Sequence, residues 1–278
     1  MENRNFINGS FIDSISVKNV DVFNPANQKL VGSINEAMED EIELAMNAAK
    51  KAFDKRILQD MDARVKSKMM RSIATKLREY SDEGGKLLSQ ENGKTINQCI
   101  GEFKGAADTF DFYAGMTDKI QNKLIPSGKD TFNYVVLEPF GVSLQIVPWN
   151  YPISIFSGMV AQNWIVGNTI VIKPPELCPL STNFYGKIFQ EVGVPEGIIN
   201  IVHGFGEITG RKLVQHSGND YIVFTGSPEV ASEILKQTAD RIVPCHFELG
   251  GKSAAIIYPD ADIDKAVDST VNGIFKPN

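Results

Sequence analysis

The stretch that decides the fold is VSLQIVPWNYP at residues 142–152, together with TIVIKPPE at residues 169–176. Each begins with a short apolar run rich in β-branched residues and ends in prolines, which predicts a buried strand followed by a rigid turn. The apolar segment after Pro152 predicts a helix between the two strands. A strand, a helix and a second strand in this order are typical of a βαβ unit with parallel strands.

The same alternation continues towards the C-terminus. Further strands are predicted at IINIV (198–202), YIVFTG (221–226) and SAAIIY (253–258). Further helices are predicted from about Ser181, after Gly206 and from Pro228. We therefore expect an α/β fold in which helices cover both faces of a parallel sheet.

The first third of the chain has a helical pattern instead. Apolar residues recur at helical spacing over residues 42–53 and again over residues 65–77. Gly84 and Gly85 interrupt this pattern, which resumes in a long helix from Ile96 to near Gly115. Alternating polar and apolar residues from 132 to 136 then predict a short strand before the turn at Pro139 to Gly141.

Composition narrows the class of function. The 278 residues carry a formal net charge of −6 and a pI near 5.2, so we expect neither nucleic acid nor an anionic membrane as a partner. The sequence shows no stretch of membrane-spanning length and no secretory signal, which predicts a cytoplasmic protein that acts on small molecules. Cys99, Cys178 and Cys245 are an odd set without a CxxC pair, which favours reduced thiols, and we expect no metal site.

Polar side chains follow the first two strands, where an open parallel sheet binds its ligands. Asn150 lies between two prolines and is either an amide donor for an oxyanion or part of a rigid turn that satisfies its own backbone. Lys173 and Glu176 flank two more prolines, and they either present an ammonium and a carboxylate to one ligand or form an ion pair in a surface turn. A carboxylate at this place commonly accepts from ribose hydroxyls and repels a 2′-phosphate.

Two further loops follow strands. HGFGEITG (203–210) resembles a dinucleotide fingerprint but has one residue too many for GxGxxG, so it is a weak signal alone. In FTGSP (224–228), Ser227 is a candidate N-cap and Pro228 suits the first helical position. The helix that they begin either offers its N-terminal N–H groups to a phosphate or is simply an ordinary capped helix.

Glu248 stands in PCHFELGGKSAAII (244–257), where we expect it to pack between Phe247 and Leu249. Desolvation in that setting is expected to raise its pKa towards the range of a general base. The alternative is a structural carboxylate paired with Lys252. Gly250 and Gly251 allow a ligand or a backbone to approach closely.

Taken in order, PWNYP, KPPE, GFG, FTGSPEVA and FELGGKS resemble the NAD(P)-dependent aldehyde dehydrogenase superfamily. The N-terminal stretches FINGSFIDS and ENGKTINQCIGEFKGAADTFDFYAG are also similar to that family, so the resemblance covers essentially the whole chain. Five ordered motifs with the expected elements between them make this a specific signal.

The resemblance implies a Rossmann-like cofactor domain at residues 1–124 and 146–248, a small β segment for oligomerisation at 125–145, and the start of a catalytic domain at 249–278. Asn150 would help to form the oxyanion hole, and Glu248 would activate the water that hydrolyses a thioester. The residues expected to bind the cofactor are Ile146, Pro148, Trp149, Asn150, Lys173, Glu176, Gly206, Gly210, Phe224, Thr225, Gly226, Ser227, Val230, Leu249 and Gly250.

Within that pattern the cofactor is NAD, with NADP possible, the substrate is a small-molecule aldehyde, and the protein is a homo-oligomer, a dimer or a tetramer. The family's nucleophile is a cysteine thiolate that captures the aldehyde before hydride transfer. The chain ends at Asn278, just before the segment expected to carry it, so we expect most of the catalytic domain to be missing and the 278 residues alone to be inactive. Cys245 is too close to Glu248 in the sequence to replace that cysteine. The alternative is a non-catalytic remnant that binds nucleotide or pairs subunits.

Overall fold

The computed structural model describes residues 4–13 and 18–275, in eleven strands and nine α-helices. The strands are β1 (Phe6–Ile7), β2 (Ser10–Phe11), β3 (Asn19–Phe23), β4 (Leu30–Asn35), β5 (Lys123–Ile125), β6 (Asn133–Val135), β7 (Val142–Ile146), β8 (Thr169–Lys173), β9 (Ile199–Ile201), β10 (Tyr221–Gly226) and β11 (Cys245–Leu249). The helices are α1 (Glu39–Asp54), α2 (Ala63–Glu79), α3 (Ser81–Asn92), α4 (Ile96–Ala114), α5 (Pro152–Val166), α6 (Asn183–Val192), α7 (Arg211–Gln215), α8 (Pro228–Thr238) and α9 (Ile263–Phe275).

A seven-stranded sheet in the order β11-β10-β7-β8-β9-β1-β2 forms the centre of the fold. The five strands from β11 to β9 are parallel, and β1 and β2 add an antiparallel edge. Register pairs Ile146 with Lys173 and with Phe224, so β7, β8 and β10 end side by side. This arrangement confirms the prediction of an α/β fold built on a Rossmann-like parallel sheet.

The helices pack on both faces of this sheet. One face is covered by α2, α4, α5 and α6, whose core includes Phe103, Phe156, Trp164 and Tyr185, all fully buried. The other face is covered by α1, α7 and α8, where smaller residues meet the strands, as at Ala45, Leu213 and Ile234. Burial on both faces explains the apolar run of β8, whereas β7, equally buried, also carries the polar Ser143 and Gln145.

The helix boundaries follow ordinary capping chemistry. Thr95 begins α4 with a capping box to Gln98, and the helix ends at Ala114 before Gly115, as predicted. Pro152 and Pro228 occupy the starts of α5 and α8. Gly167, with φ of +94°, ends α5 in the left-handed conformation that glycine adopts readily.

Three expectations from the sequence are corrected. Gly84 and Gly85 lie inside α3, where the lack of side chains lets this helix pack closely on Phe103 and Ile100 of α4. The strand after α8 is Cys245–Leu249, which pairs with β10, whereas residues 250–257 are irregular and exposed. Residues 142–145 belong to β7 of the main sheet, so the small separate sheet consists of β5 and β6 alone.

Candidate functional site

A cavity of about 680 Å³ opens at the carboxyl ends of β7, β8 and β10, on the side that carries α7 and α8. Every predicted cofactor-binding residue except Asn150, Leu249 and Gly250 lines it. The lining comprises Ile146, Val147, Pro148, Trp149, Lys173, Pro175, Glu176, Leu177, Gly206, Glu207, Gly210, Arg211, Val214, Phe224, Thr225, Gly226, Ser227, Glu229, Val230, Glu233, Ile234 and Gln237. Its size and its position at the sheet edge suit an extended small-molecule ligand.

Lys173 and Glu176 form an ion pair in the wall of the cavity. The Lys173 Nζ donates to Glu176 Oε2 at 3.0 Å and to the Pro174 carbonyl at 2.9 Å, while the Lys173 side chain is 2% exposed. Burial lowers the pKa of Lys173, and the nearby Glu176 charge opposes that shift only in part.

Glu176 is the exposed partner of this pair, with a third of its side chain accessible. Burial acts to raise the pKa of Glu176, but the Lys173 charge and hydrogen bonds that include the Gly206 N–H outweigh burial and lower it. The Glu176 carboxylate is therefore ionised. It is held by the Lys173 ammonium and the Gly206 N–H and is open to the cavity, which fits an acceptor for ligand hydroxyls.

The N-terminus of α8 forms a second polar part of the cavity. Ser227 caps the helix with its Oγ, which accepts from the Val230 N–H at 3.3 Å, and Pro228 takes the first helical position. The first turn of a helix carries N–H groups without helical partners and the positive end of the helix dipole. Both features favour an anionic group here.

Glycines keep the cavity open on the opposite side. A Cβ at Gly206 would lie 3.9 Å from Glu176 Oε1, and one at Gly210 would lie 3.3 Å from the Lys173 side chain. A side chain at Gly206 would therefore project towards the carboxylate and occupy ligand space. The position of Gly206 and Gly210 at the cavity agrees with the resemblance of HGFGEITG to a dinucleotide fingerprint.

Asn150 and Glu248 lie outside the cavity lining. Asn150 is exposed on the loop between β7 and α5, next to the lining residue Trp149. Glu248 points to the sheet face opposite α8, is 68% exposed, and contacts His246 Nε2 at 3.1 Å through Oε1. The expected burial of Glu248 is therefore wrong for this chain, and so is its pairing with Lys252, which donates to the Gly251 carbonyl.

Leu249 and Gly250 also lie outside the lining. Leu249 is the last residue of β11, opposite Gly226 of β10, and its side chain is 43% exposed. Gly250 begins the irregular exposed segment that follows. These two predicted cofactor residues stand at the open edge of the sheet, one strand away from the cavity.

The environments of the three cysteines disfavour the thiolate form. Burial raises the pKa of Cys99 to about 11 and raises that of Cys178 still further. Burial also raises the pKa of the half-buried Cys245, whose thiol lies 3.4 Å from the Val243 carbonyl. A thiolate is the reactive form of cysteine, so each of these environments opposes nucleophilic chemistry.

Sequence reasoning missed ten of the 22 lining residues, and four of these are charged: Glu207, Arg211, Glu229 and Glu233. Helical spacing could have predicted part of this set. Residues 233, 234 and 237 fall on the same face of the helix that Ser227 begins as residue 230, which was predicted. Arg211 has no such signal, since it follows a π-helical turn at Gly206–Gly210 that shifts its direction.

Two further features are absent from residues 4–13 and 18–275. No group of three or more histidine, cysteine and acidic side chains there is arranged to hold a metal ion. In the same part of the chain, no helix combines the length and the apolar character needed to cross a membrane.

Comparison with known proteins gives consistent matches over nearly the whole chain. The family model "Aldehyde dehydrogenase family" matches residues 11–278. The chain is 35% identical over 272 residues to "Aldehyde dehydrogenase" of Alternaria alternata, and 38% identical over 271 residues to "Aldehyde dehydrogenase family 2 member B4, mitochondrial" of Arabidopsis thaliana. Each match covers 97% of this chain but 54% and 50% of those proteins, so the chain spans about half the length of the curated relatives it matches.

A solved structure shows the same arrangement of elements. The "NAD+ complex structure of aldehyde dehydrogenase from bacillus cereus" superimposes with a TM-score of 0.96 at 36% identity. The match covers 99% of this chain and 56% of that one.

Proposed function

Because this chain belongs to the aldehyde dehydrogenase family, we propose that its cavity binds NAD and that the chain provides the cofactor-binding part of an enzyme that oxidises an aldehyde to a carboxylic acid. The observation that carries the proposal is the combination, in one cavity, of the Lys173–Glu176 pair and the N-terminus of α8. These groups match the two polar parts of an adenosine diphosphate, a ribose and a pyrophosphate.

The residues present fit such a cofactor. Glu176 would accept from the adenosine ribose hydroxyls while Lys173 holds its carboxylate in place, and the α8 N-terminus with Ser227 would bind the pyrophosphate. Pro148 and Trp149 would then lie towards the nicotinamide. When bound, NAD supplies the acceptor for a hydride. A carboxylate at residue 176 would repel a 2′-phosphate, which supports NAD over NADP.

The chemistry proposed for the family reaction needs three further groups. A cysteine thiolate would add to the aldehyde, and Asn150 would donate to the resulting oxyanion. Loss of a hydride from this adduct to NAD would leave a thioester, and Glu248 would activate the water that hydrolyses it, releasing the acid and the thiol. One well-placed amide donor contributes about 3 kcal/mol to such a transition state. The environments of Cys99, Cys178 and Cys245 do not support the thiolate role, so we propose that the 278-residue chain binds dinucleotide without oxidising aldehydes.

A second candidate function is subunit pairing, supported by the hairpin of β5 and β6. Leu124, Phe132 and Tyr134 on this hairpin are 66%, 76% and 58% exposed. We propose that it contacts a second copy of the chain in a homo-oligomer, since exposed apolar patches mark interaction sites. We further propose that residues 1–124 and 142–248 form the cofactor domain, since β7 belongs to the main sheet, and that residues 249–278 begin a catalytic domain. A cytoplasmic location is supported by three unpaired cysteines.

Isothermal titration calorimetry of the chain with NAD tests the cofactor proposal. We expect saturable binding, an affinity about tenfold lower in Glu176→Gln, and a smaller preference for NAD over NADP in that variant because the repelling charge is gone. Glu79→Gln, an exposed carboxylate on α2, is the matched control. Absence of heat and of a thermal shift with NAD in the folded wild type would refute the proposal.

An assay of the chain with NAD and a panel of aldehydes tests the absence of turnover. We expect no NADH above background. Turnover that disappears in Glu248→Ala but persists in Cys245→Ala would show that another group serves as nucleophile.

A further inference from the structure

Two loops that line the cavity are both held by the region where α3 meets α4. We call Glu91, Asn92, Lys94 and Glu102 the α3–α4 clamp. Glu91 and Asn92 are the last two residues of α3, Lys94 lies between the helices, and Glu102 lies in the second turn of α4. The side chains of Glu91 and Glu102 are almost completely buried, although neither lines the cavity.

Glu102 fixes the loop that leads into α5. Its Oε1 accepts from the backbone N–H groups of Ile153 and Ser154 at 2.9 and 3.1 Å, and its Oε2 accepts from Lys94 Nζ at 2.8 Å. The same Lys94 Nζ lies 3.7 Å from the centre of the Tyr151 ring. Asn92 Nδ2 donates to the Trp149 carbonyl at 2.7 Å, so the clamp contacts both ends of the short loop 149–153.

Glu91 fixes the loop that carries Glu176. Its two carboxylate oxygens accept from the N–H groups of Leu180 and Ser181 at 2.7 and 2.8 Å, at the point where this loop enters α6. The loop contains Pro174, Pro175 and Pro179, so few of its backbone torsions are free. A fixed far end therefore restricts where the carboxylate of Glu176 can lie.

Both helices begin without the usual local cap. In the described part of the chain, Tyr151 at the start of α5 and Thr182 at the start of α6 make no side-chain capping bond. At α5 the distant carboxylate of Glu102 accepts from the N-terminal N–H groups of Ile153 and Ser154 instead. At α6 the Glu91 carboxylate accepts from Leu180 and Ser181, the two residues before the N-cap, while the first N–H groups of the helix bond to carbonyls of residues 180–182. The start of α5 and the end of the loop before α6 thus both depend on contacts with α3 and α4.

We propose that the clamp consists of two positioning arms that act on separate ends of the dinucleotide cavity. Glu102 and Asn92 position loop 149–153 at the nicotinamide end, and Glu91 positions Glu176 at the adenosine ribose end. This inference rests on the proposed binding of NAD. It predicts that the two arms affect different ligands, because AMP reaches only the adenosine end whereas NAD spans both.

Calorimetry with NAD and with AMP on the 278-residue chain separates the arms. We expect Glu102→Ala to weaken NAD by about tenfold, or about 1.4 kcal/mol, and to change AMP by less than about twofold. Glu91→Ala is expected to weaken both ligands by a similar factor. Glu102→Gln keeps an acceptor for Ile153 and is expected to recover most of the NAD affinity, while Glu79→Ala serves as the surface control.

Asn92→Ala provides a second test of the clamp if the glutamate variants fail to fold. It removes the 2.7 Å hydrogen bond to the Trp149 carbonyl and a longer 3.5 Å contact with Cys178 Sγ, and because the Trp149 bond is the stronger of the two, we expect NAD to be weakened by a few-fold more than AMP. Equal losses of NAD and AMP affinity in Glu102→Ala and Asn92→Ala, or no loss in either, would overturn the clamp while leaving NAD binding intact. A folded wild type that binds neither ligand would overturn the proposed function and the clamp together.

Discussion

Lys173 places a buried positive charge at the wall of the cavity, and its surroundings show how that charge is tolerated. Its ammonium contacts Glu176 and the Pro174 carbonyl, which replace part of the lost hydration. Burial, and then the Lys173 charge, lower the pKa of the neighbouring His203 to about 3, so that imidazole is neutral and hydrogen-bonded to Asn183. The site therefore keeps one ion pair whose acidic partner is open to ligand.

The buried carboxyl group of Glu91 predicts a measurable dependence of the free energy of unfolding on pH. Burial raises the pKa of Glu91 from an ordinary value of 4.5 to about 7. The pKa of Glu91 is therefore higher in the folded state than in the unfolded state. Its contribution to the free energy of unfolding is complete below about pH 4.5 and is lost as the pH rises through about 7. The gap between the two values corresponds to on the order of 3 kcal/mol of unfolding free energy.

We expect wild-type urea midpoints to fall between pH 5 and pH 8 by more than those of Glu91→Gln, whose side chain cannot ionise. Glu79→Gln should keep the wild-type dependence, because Glu79 is exposed. A Glu91→Gln protein with an unchanged pH dependence would show that Glu91 does not titrate as described.

Residue patterns predicted the position of the polar strand ends better than they predicted burial. Lys173 ends β8, Glu176 follows it by three residues, and Ser227 directly follows β10; this placement, with restrictive prolines nearby, was sufficient to predict that they lie at the cavity. The flanking apolar residues of Glu248 suggested burial, but alternation along an edge strand turns its side chain to the opposite face from Phe247 and Leu249. What covers such a face is a tertiary property that local sequence does not contain.

At the scale of elements, the helix pair α3 and α4 also shows that local sequence predicts a helix better than it predicts how the helix packs. The apolar periodicity of α4 and the glycine after it were sufficient to predict a helix from Ile96 to near Gly115, and the structure ends it at Ala114. Gly84 and Gly85 suggested a break because glycine lowers helix propensity, whereas their role is to let α4 approach α3. Likewise SAAIIY has the composition of a strand, but in the described part of the chain it has no neighbouring strand to pair with.

Two alanine substitutions distinguish a glycine that allows close packing of two helices from a glycine that only lowers helix propensity. A Cβ at Gly84 would overlap the Phe103 ring, so Gly84→Ala is expected to cost about 1–3 kcal/mol of unfolding free energy. At Gly101 of α4 no described atom lies within 4 Å of a Cβ, and Gly101→Ala should stabilise by about 0.5–1 kcal/mol. Chemical denaturation measures both, and a stabilising Gly84→Ala would contradict the packing of α3 on α4.

At the scale of the whole molecule, exposed large apolar side chains are concentrated in two regions. One is the β5–β6 hairpin, and the other is the segment from 250 to 275, where Ile256 and Phe275 are both 76% exposed. Surface of this kind favours association with another protein surface.

The hairpin is expected to drive self-association of the chain. Sedimentation velocity should show a dimer or tetramer for the wild type and a shift towards monomer for Leu124→Glu with Phe132→Glu, which place charges on the exposed hairpin. Leu44→Glu, on the exposed face of α1, is the control. Unchanged assembly in the hairpin variant would indicate that another surface holds the copies together.

The central claim is that the ends of β7, β8 and β10 form one site for a nicotinamide dinucleotide. A crystal structure of the chain grown with NAD tests it most directly. We expect the adenosine ribose hydroxyls within hydrogen-bonding distance of Glu176 and the pyrophosphate at the N-terminus of α8. A dinucleotide bound elsewhere on the molecule, with Glu176 still facing an empty cavity, would contradict the account.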